Sequence, residues 1–268
     1  MVGGAKNGRL AIVGLGLHDE NGISIEGMKE VRDADTVFVE EYTSALADGS
    51  MERLSKAAGK RIEQLDRRAV EDATVILNAS EVSRVVLLVA GDPMTATTHI
   101  DLRLRATERG ITTVVVHGSS ALTAIPGVLG LQHYKFGRTT TLPFPQEGFS
   151  PTSPYEVVRE NLSRGLHTLV LLDIDAENQR YMTVNEGLHL LLDMERRVGG
   201  GILGGSTLVC AVARAGSPDC MVLAGSMNDL MAKSYGRPLH AIVVPGKLHF
   251  MEEEALRVFA RYSPSSGR

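Results

Sequence analysis

Hydrophobic positions along the chain fall into short unbroken runs separated by stretches of helical period. In the first half, RLAIVG (Arg9 to Gly14), DTVFVE (Asp35 to Glu40), RVVLLVA (Arg84 to Ala90) and TTVVVHG (Thr112 to Gly118) are rich in Val, Ile and Leu and scarcely alternate. A strand with one face in water alternates, whereas one covered on both faces does not, so these runs predict strands of a parallel sheet. Between them Ile25, Met28 and Val31 recur at helical spacing, and Thr98-x-x-Asp101 predicts a capping box opening a helix that ends at Gly110. Alternating strands and helices imply right-handed crossovers and a doubly wound sheet.

The segment Gly137 to Tyr155 holds four of the ten prolines and almost no periodicity, which predicts a long connecting loop beside a cleft. Beyond it a second α/β pattern begins. Strands are expected near TLVLLDI (Thr168 to Ile174), TLVCAVA (Thr207 to Ala213), MVLAG (Met221 to Gly225) and HAIVV (His240 to Val244). Thr183-x-x-Glu186 predicts the cap of a helix carrying Leu188, Leu191 and Leu192, and a last amphipathic helix starts near His249. Because SPDC (Ser217 to Cys220) reads as a hairpin-type turn, the second sheet is expected to be mixed. The organisation expected is therefore α/β in two domains: 1–117, with a mainly parallel doubly wound sheet, and 118–268, with a mixed sheet and the 137–155 loop.

Composition agrees with that division. A chain of 268 residues exceeds the usual ~100–200 per domain, and 43% hydrophobic with 22% charged residues is the balance of an ordinary soluble protein. Net charge is −4 with no run of like charges, so direct contact with nucleic acid is not expected. The longest apolar run, Val85 to Ala90, falls far short of the ~20 residues that span a bilayer, and the N-terminus carries no signal-type apolar stretch. A cytoplasmic location without membrane attachment is expected. Cys210 lies inside an apolar run and reads as core, no disulfide with Cys220 is expected, and the eight histidines show no zinc-type spacing.

Two glycine-bearing strand ends carry the candidate chemistry. IVGLGLHDENG (Ile12 to Gly22) leads a strand into Gly14-x-Gly16, yet Asp19 stands where the dinucleotide fingerprint needs its third glycine, and an anion there would repel a pyrophosphate. Either the glycines serve a tight turn, or backbone stripped of side chains lets a flat ligand lie against the sheet edge. LLVAGDPMTATTH (Leu87 to His99) ends another strand at Gly91, Asp92 and Pro93. Asp92 either caps the turn or faces a ligand, since ligands of open α/β sheets gather at the carboxyl ends of strands.

Taken in order, GLGLHDENGIS (Gly14 to Ser24), EEYTS (Glu40 to Ser44), AGDPMTATTH (Ala90 to His99), YKFG (Tyr134 to Gly137), GLHTLVLLDI (Gly165 to Ile174), YMTVNE (Tyr181 to Glu186), ARAGS (Ala213 to Ser217) and VPGKLH (Val244 to His249) resemble the diphthine synthase family over essentially the whole chain. That family sits within the tetrapyrrole-methylase-like, or class III, methyltransferases, whose members resemble one another in two α/β domains with the active-site cleft between. GLG and GDP are shared across the superfamily, while GLHTL, YMT and PGKLH look specific to the diphthine synthases.

The resemblance implies transfer of methyl groups from S-adenosylmethionine to the amine of a 3-amino-3-carboxypropyl group on a histidine of translation elongation factor 2. It favours a trimethylated amine and a homodimer, and calls for no metal. The cosubstrate site it implies comprises Leu17, Asp92, Thr95, Ser120 and Ala121 from the first half, with Leu172, Ala215 and His240 from the second. Each has a plainer reading: Leu172 and Ala215 as core, Ser120 as a helix N-cap, His240 as a satisfied strand-edge histidine. Ala121 stands where a larger apolar residue is expected, and Met1 to Gly8 looks like a short extension. A tetrapyrrole (precorrin) methylase and a noncatalytic S-adenosylmethionine-binding module are the alternative functions.

Methyl transfer from a sulfonium is an in-line displacement that needs a neutral, aimed amine. Deprotonating an amine of pKa about 8 or higher costs on the order of 1.4–3 kcal/mol near neutral pH, whereas positioning two reactants supplies ~7–11 kcal/mol. Orientation and desolvation therefore suffice in principle, and the sequence displays no evident base.

Overall fold

The computed structural model describes residues 8–40, 46–146, 148, 150–175 and 178–263. Most of the expected N-terminal extension (1–7), the end of EEYTS (41–44) and positions 147 and 149 of the proline-rich segment lie outside the described residues. The chain divides into two compact units, Met1–Ala121 and Leu122–Arg268.

In the first unit the order is β1 Arg9–Gly14, α1 Ile25–Asp33, β2 Thr36–Glu40, α2 Ser50–Ala58, β3 Ile62–Leu65, α3 Arg67–Asp72, α4 Thr74–Val82, β4 Arg84–Val89, α5 His99–Glu108 and β5 Thr112–Val116. The strands pair in parallel in the order β3-β2-β4-β1-β5. Leu10, Ile12, Leu87 and Val89 pack with Ile76 and Leu77 of α4 and Leu102 and Ala106 of α5. Their neighbours Ala11, Val13, Val86 and Leu88 point the other way, onto Val31 of α1 and Leu54 of α2. Helices thus cover both faces, which is why the apolar runs do not alternate, and each fully buried Val or Leu stabilises the unit by roughly 1.5–3 kcal/mol.

Strand order fixes where a ligand can enter. The helix after β1 packs on one face and the helix after β4 on the other. Right-handed crossovers leaving two neighbouring strands toward opposite faces part at their carboxyl ends, so a crevice opens beyond β1 and β4.

The helix marked by Ile25, Met28 and Val31 forms as α1, while its buried face, the cap of α5 and a short edge strand depart from the sequence pattern. Ile25 is 92% exposed, and α1 buries Gly27 and Val31 instead. Successive steps of three residues fall about 60° short of a full turn, so Ile25 and Val31 cannot share a narrow face. Thr98 occupies the N-cap of α5 but makes no side-chain cap bond: its ψ of 7° is already near-helical, and a capping hydroxyl reaches back only from extended backbone. β3 carries no apolar run, being a short edge strand with Glu63 and Gln64 exposed.

The second unit contains α6 Ala121–Leu129, which begins at the boundary residue, then β6 Thr140–Leu142, α7 Ser153–Ser163, β7 Thr168–Leu172, β8 Ile174–Asp175, β9 Arg180–Tyr181, α8 Val184–Val198, β10 Leu208–Ala213, β11 Met221–Ser226, α9 Met227–Met231, β12 His240–Val244 and α10 Phe250–Phe259. Its main sheet is mixed as expected, ordered β11-β10-β12-β7-β6, with only β6 and β7 parallel. The SPDC turn joins the antiparallel pair β10 and β11. The Thr183 and Glu186 capping box is formed in both directions, and Leu188 and Leu191 are buried beneath it.

The 137–155 segment is not the continuous loop expected. Thr140, Thr141 and Leu142 pair with Val170, Leu171 and Leu172 as the edge strand β6, and α7 starts at Ser153. Three residues are too few to show a period, and Pro143 ends the strand at once. The connection proper is 143–152.

Candidate active site

At the carboxyl edge of the first sheet, backbone meets backbone. Gly16 N–H donates to Gly91 O at 3.1 Å and Gly91 N–H to Gly16 O at 2.8 Å, joining the loops after β1 and β4. Gly16 has φ +70°, a conformation side chains resist. Gly118, just past β5, closes the same floor: a Cβ on it would lie 2.4 Å from Gly91 O and 2.9 Å from Gly16 N. The result is a junction at the topological switch point in which backbone packs directly on backbone. Leu17 follows Gly16, half-buried.

Asp92 stands beside this floor with both oxygens engaged. Oδ1 accepts from Met94 N–H at 2.9 Å and Thr95 Oγ1 at 3.1 Å, while Oδ2 meets His117 Nδ1 at 2.7 Å and Gly118 N–H at 3.3 Å. Burial acts to raise its pKa, but the bonds from Met94, His117 and Thr95 outweigh burial and hold it below the usual carboxylate range. The turn-capping reading of Asp92 is therefore realised, and it leaves an anion at the sheet edge. Ser120 is buried immediately before α6, in N-cap position, with Ala121 half-buried behind it.

Beneath the same loop lies a buried pair to which the sequence assigned no role. His99 Nε2 is 3.2 Å from Glu40 Oε2 and its Nδ1 is 2.9 Å from Pro93 O, both side chains being almost wholly buried. Burial alone would lower the pKa of His99, yet the bonds to Glu40 and Pro93 raise it above the ordinary histidine value. The end of β2 thus anchors the GDP loop through Pro93.

In the second unit, Leu172, Ala215 and His240 come to one end of the sheet. Leu172 ends β7, His240 opens the antiparallel β12, and Ala215 lies two residues past β10, whose Ala213 pairs with His240. Leu172 is buried in the core, Ala215 half-buried. The ring of His240 is satisfied, as the plainer reading held: Nδ1 accepts from Val184 N–H at 3.3 Å and Nε2–H donates to Arg237 O at 3.1 Å. Burial pushes its pKa down, favouring this neutral form. Arg214 braces the turn, donating from Nη1 to Tyr235 O and Arg237 O, each at 2.6 Å.

The PGKLH segment has a structural duty at the other end of β7 and β12. His249 caps α10 in a capping box with Glu252, and the buried Glu252 also accepts from Gln132 N–H, His167 Nε2 and the Lys135 ammonium. Burial opposes ionisation, but the bonds from His249, Lys135 and Gln132 carry its pKa down to about 2. Among the described residues no group of three or more His, Cys, Asp or Glu is placed to hold a metal ion, and no helix is long and apolar enough to cross a membrane.

Residues 9–230 match the family model of the Tetrapyrrole (Corrin/Porphyrin) Methylases. The chain is 49% identical over 255 residues to the diphthine synthase of Methanosphaerula palustris, covering 95% of this chain and 99% of that one. It is 45% identical to the diphthine synthase of Methanothermobacter thermautotrophicus, over 92% and 94% of the two chains. A crystal structure of a diphthine synthase superposes with a TM-score of 0.86 at 37% identity, over 94% of this chain and 96% of that one. With such identity along nearly its whole length and a family model matched over residues 9–230, the chain belongs to the diphthine synthase family of the tetrapyrrole methylases and is a methyltransferase of diphthamide biosynthesis.

Proposed function

We propose that the enzyme moves methyl groups from S-adenosylmethionine to the amine of the 3-amino-3-carboxypropyl histidine of translation elongation factor 2, more than once per site. The observation that supports the donor half of this reading is the floor where the backbone of Gly118 lies against Gly16 and Gly91 at the strand ends, so close that a Cβ on Gly118 would collide with Gly91 O and Gly16 N. The elongation-factor half rests on the diphthine synthase relatives.

In this reading Leu17 and Thr95 border the floor, and Ser120 and Ala121 contribute at the start of α6. By the family resemblance Leu172, Ala215 and His240, together at one end of the second unit's sheet, are also assigned to donor binding. Asp92 holds the loop through Met94 and Thr95, and its anionic charge favours a sulfonium cation nearby. When bound, the donor supplies an electrophilic methyl carbon. The residues of the chain bind it, orient the amine and exclude water, for which no metal is required. The working form is a cytoplasmic homodimer acting on a protein substrate, without direct nucleic-acid contact.

The test is mass spectrometry of the modified histidine in elongation factor 2 taken from cells lacking this enzyme, before and after incubation with the purified chain and donor. Stepwise gain of methyl masses supports the reading. Methylation of a precorrin with none of the elongation factor, or donor binding with no transfer to either, would overturn it.

A further inference from the structure

We infer that Asp92 and His117 form a proton-accepting pair, with His117 Nε2 taking the proton that the substrate ammonium must lose before each methyl transfer. This rests on the N-methylation proposed above.

The geometry is that of an oriented base. Asp92, whose side chain is 10% exposed, offers only acceptors, so the His117 Nδ1 lying 2.7 Å from its Oδ2 must carry the hydrogen. In the neutral ring that fixes the tautomer and leaves the lone pair on Nε2, on a side chain that is 72% exposed. The carboxylate is itself locked by Met94, Thr95 and Gly118. A buried acid orienting an imidazole with one open nitrogen is the arrangement by which enzymes hold a general base ready.

The three buried histidines differ. Both ring nitrogens of His99, His167 and His240 are occupied by protein partners. His117 also directly precedes Gly118, the residue wedged against Gly16 and Gly91, which sets it at the proposed donor floor. Among the described residues Asp92, from the loop after β4, is the charged side chain paired with the ring, and the surrounding stretch Val115 to Ser119 carries no other charge.

The step balances. Nε2 forms an N–H bond with the proton of the substrate ammonium, whose N–H electrons become the amine lone pair. That pair attacks the methyl carbon; the carbon–sulfur bond breaks and its electrons remain on sulfur as a thioether. The imidazolium, still bonded to Asp92 through Nδ1–H, passes its proton to water, and the new methylammonium can repeat the cycle while it retains an N–H.

His117→Gln keeps a donor toward Asp92 and removes the base. Donor affinity by calorimetry should stay at the wild-type value. Methyl transfer to the elongation factor should fall tenfold or more near pH 6.5 and approach the wild-type rate near pH 9, where the amine deprotonates unaided, a loss at the lower end of the ~10²–10⁴ range for general-base removal or just below it. Imidazole should restore activity to His117→Ala. A second reading needs no substrate: nitrogen-15 NMR of the free protein should show His117 as the Nδ1–H tautomer. Superimposable pH profiles for wild type and His117→Gln, or the opposite tautomer, would overturn the inference. A wild-type chain that binds donor but methylates no elongation factor would instead defeat the functional reading, and this inference with it.

Discussion

Asp92 Oδ2 and His117 Nδ1 lie 2.7 Å apart although 25 residues separate them in sequence, and their contact joins the ends of β4 and β5 across β1. Asp92→Asn would set an amide N–H₂ against the N–H of Gly118 or the ring of His117. Leaving such groups unpaired costs about 1–3 kcal/mol, so donor affinity should drop about tenfold or more while the fold persists. Calorimetry reads this directly, and an unchanged Kd would remove Asp92 from the donor site. Since the folded pKa of Asp92 is depressed, its stabilising contribution is present above the usual carboxylate pKa and disappears as pH falls through the folded value. The Asn variant should lack that dependence.

Gly118→Ala tests the floor itself. Its methyl would press on the carbonyl of Gly91 and the amide of Gly16, backbone atoms that cannot rotate away. Overpacking of this kind costs about 1–3 kcal/mol, and the bridge between Gly16 and Gly91 should open. We expect a lower urea midpoint together with loss of donor binding; retained affinity at reduced stability would show that the floor is not where the donor lies.

The buried Glu40 and His99 pair gives the first unit a pH signature. His99 has a folded pKa above its unfolded one, so its stabilisation is complete below about 6.5 and is lost as pH rises through the folded value. Denaturant midpoints should decline as pH rises above the ordinary histidine value of about 6.5. Glu40→Ala leaves His99 buried without its partner and should cost about 3–5 kcal/mol, and it should abolish the decline. A variant as stable as wild type at every pH would show that the pair does not anchor Pro93.

Glu252 produces the opposite trend in the second unit. Its carboxyl, held at a pKa of about 2, loses its contribution as pH falls from the normal glutamate range toward that value. The full contribution is on the order of 3 kcal/mol. Glu252→Gln should lower the thermal midpoint at neutral pH and flatten the acid limb of the unfolding curve, readily followed by circular dichroism.

Replacing 146–151 by a short Gly-Ser linker tests the proline-rich connection as a docking element. The cut spares β6 and the buried Phe144. The KM for the elongation factor should rise far more than the donor Kd, and equal changes would argue against a docking role.

Much of the scaffold was legible because strand burial is a local property. β1 and β12 have the bounds that RLAIVG and HAIVV suggest, and Thr183 with Glu186 caps α8. Signals that depend on three or four residues were the ones that misled: β6 and β3 were too short to show a period, and Thr98 had the right residue type in the wrong backbone conformation.

By itself the sequence determined two α/β units, the parallel character of the first sheet, the mixed character of the second and the glycines at the strand ends, since all of these follow from hydrophobic continuity and residue type within short windows. Only the tertiary structure decided which strand ends are neighbours. The order β3-β2-β4-β1-β5 brings Asp92 to His117, Gly118 onto Gly16 and Gly91, and Glu40 against His99 across 59 residues of chain. Such pairings arise from crossover handedness and the packing of helices on both faces, and no local periodicity records them.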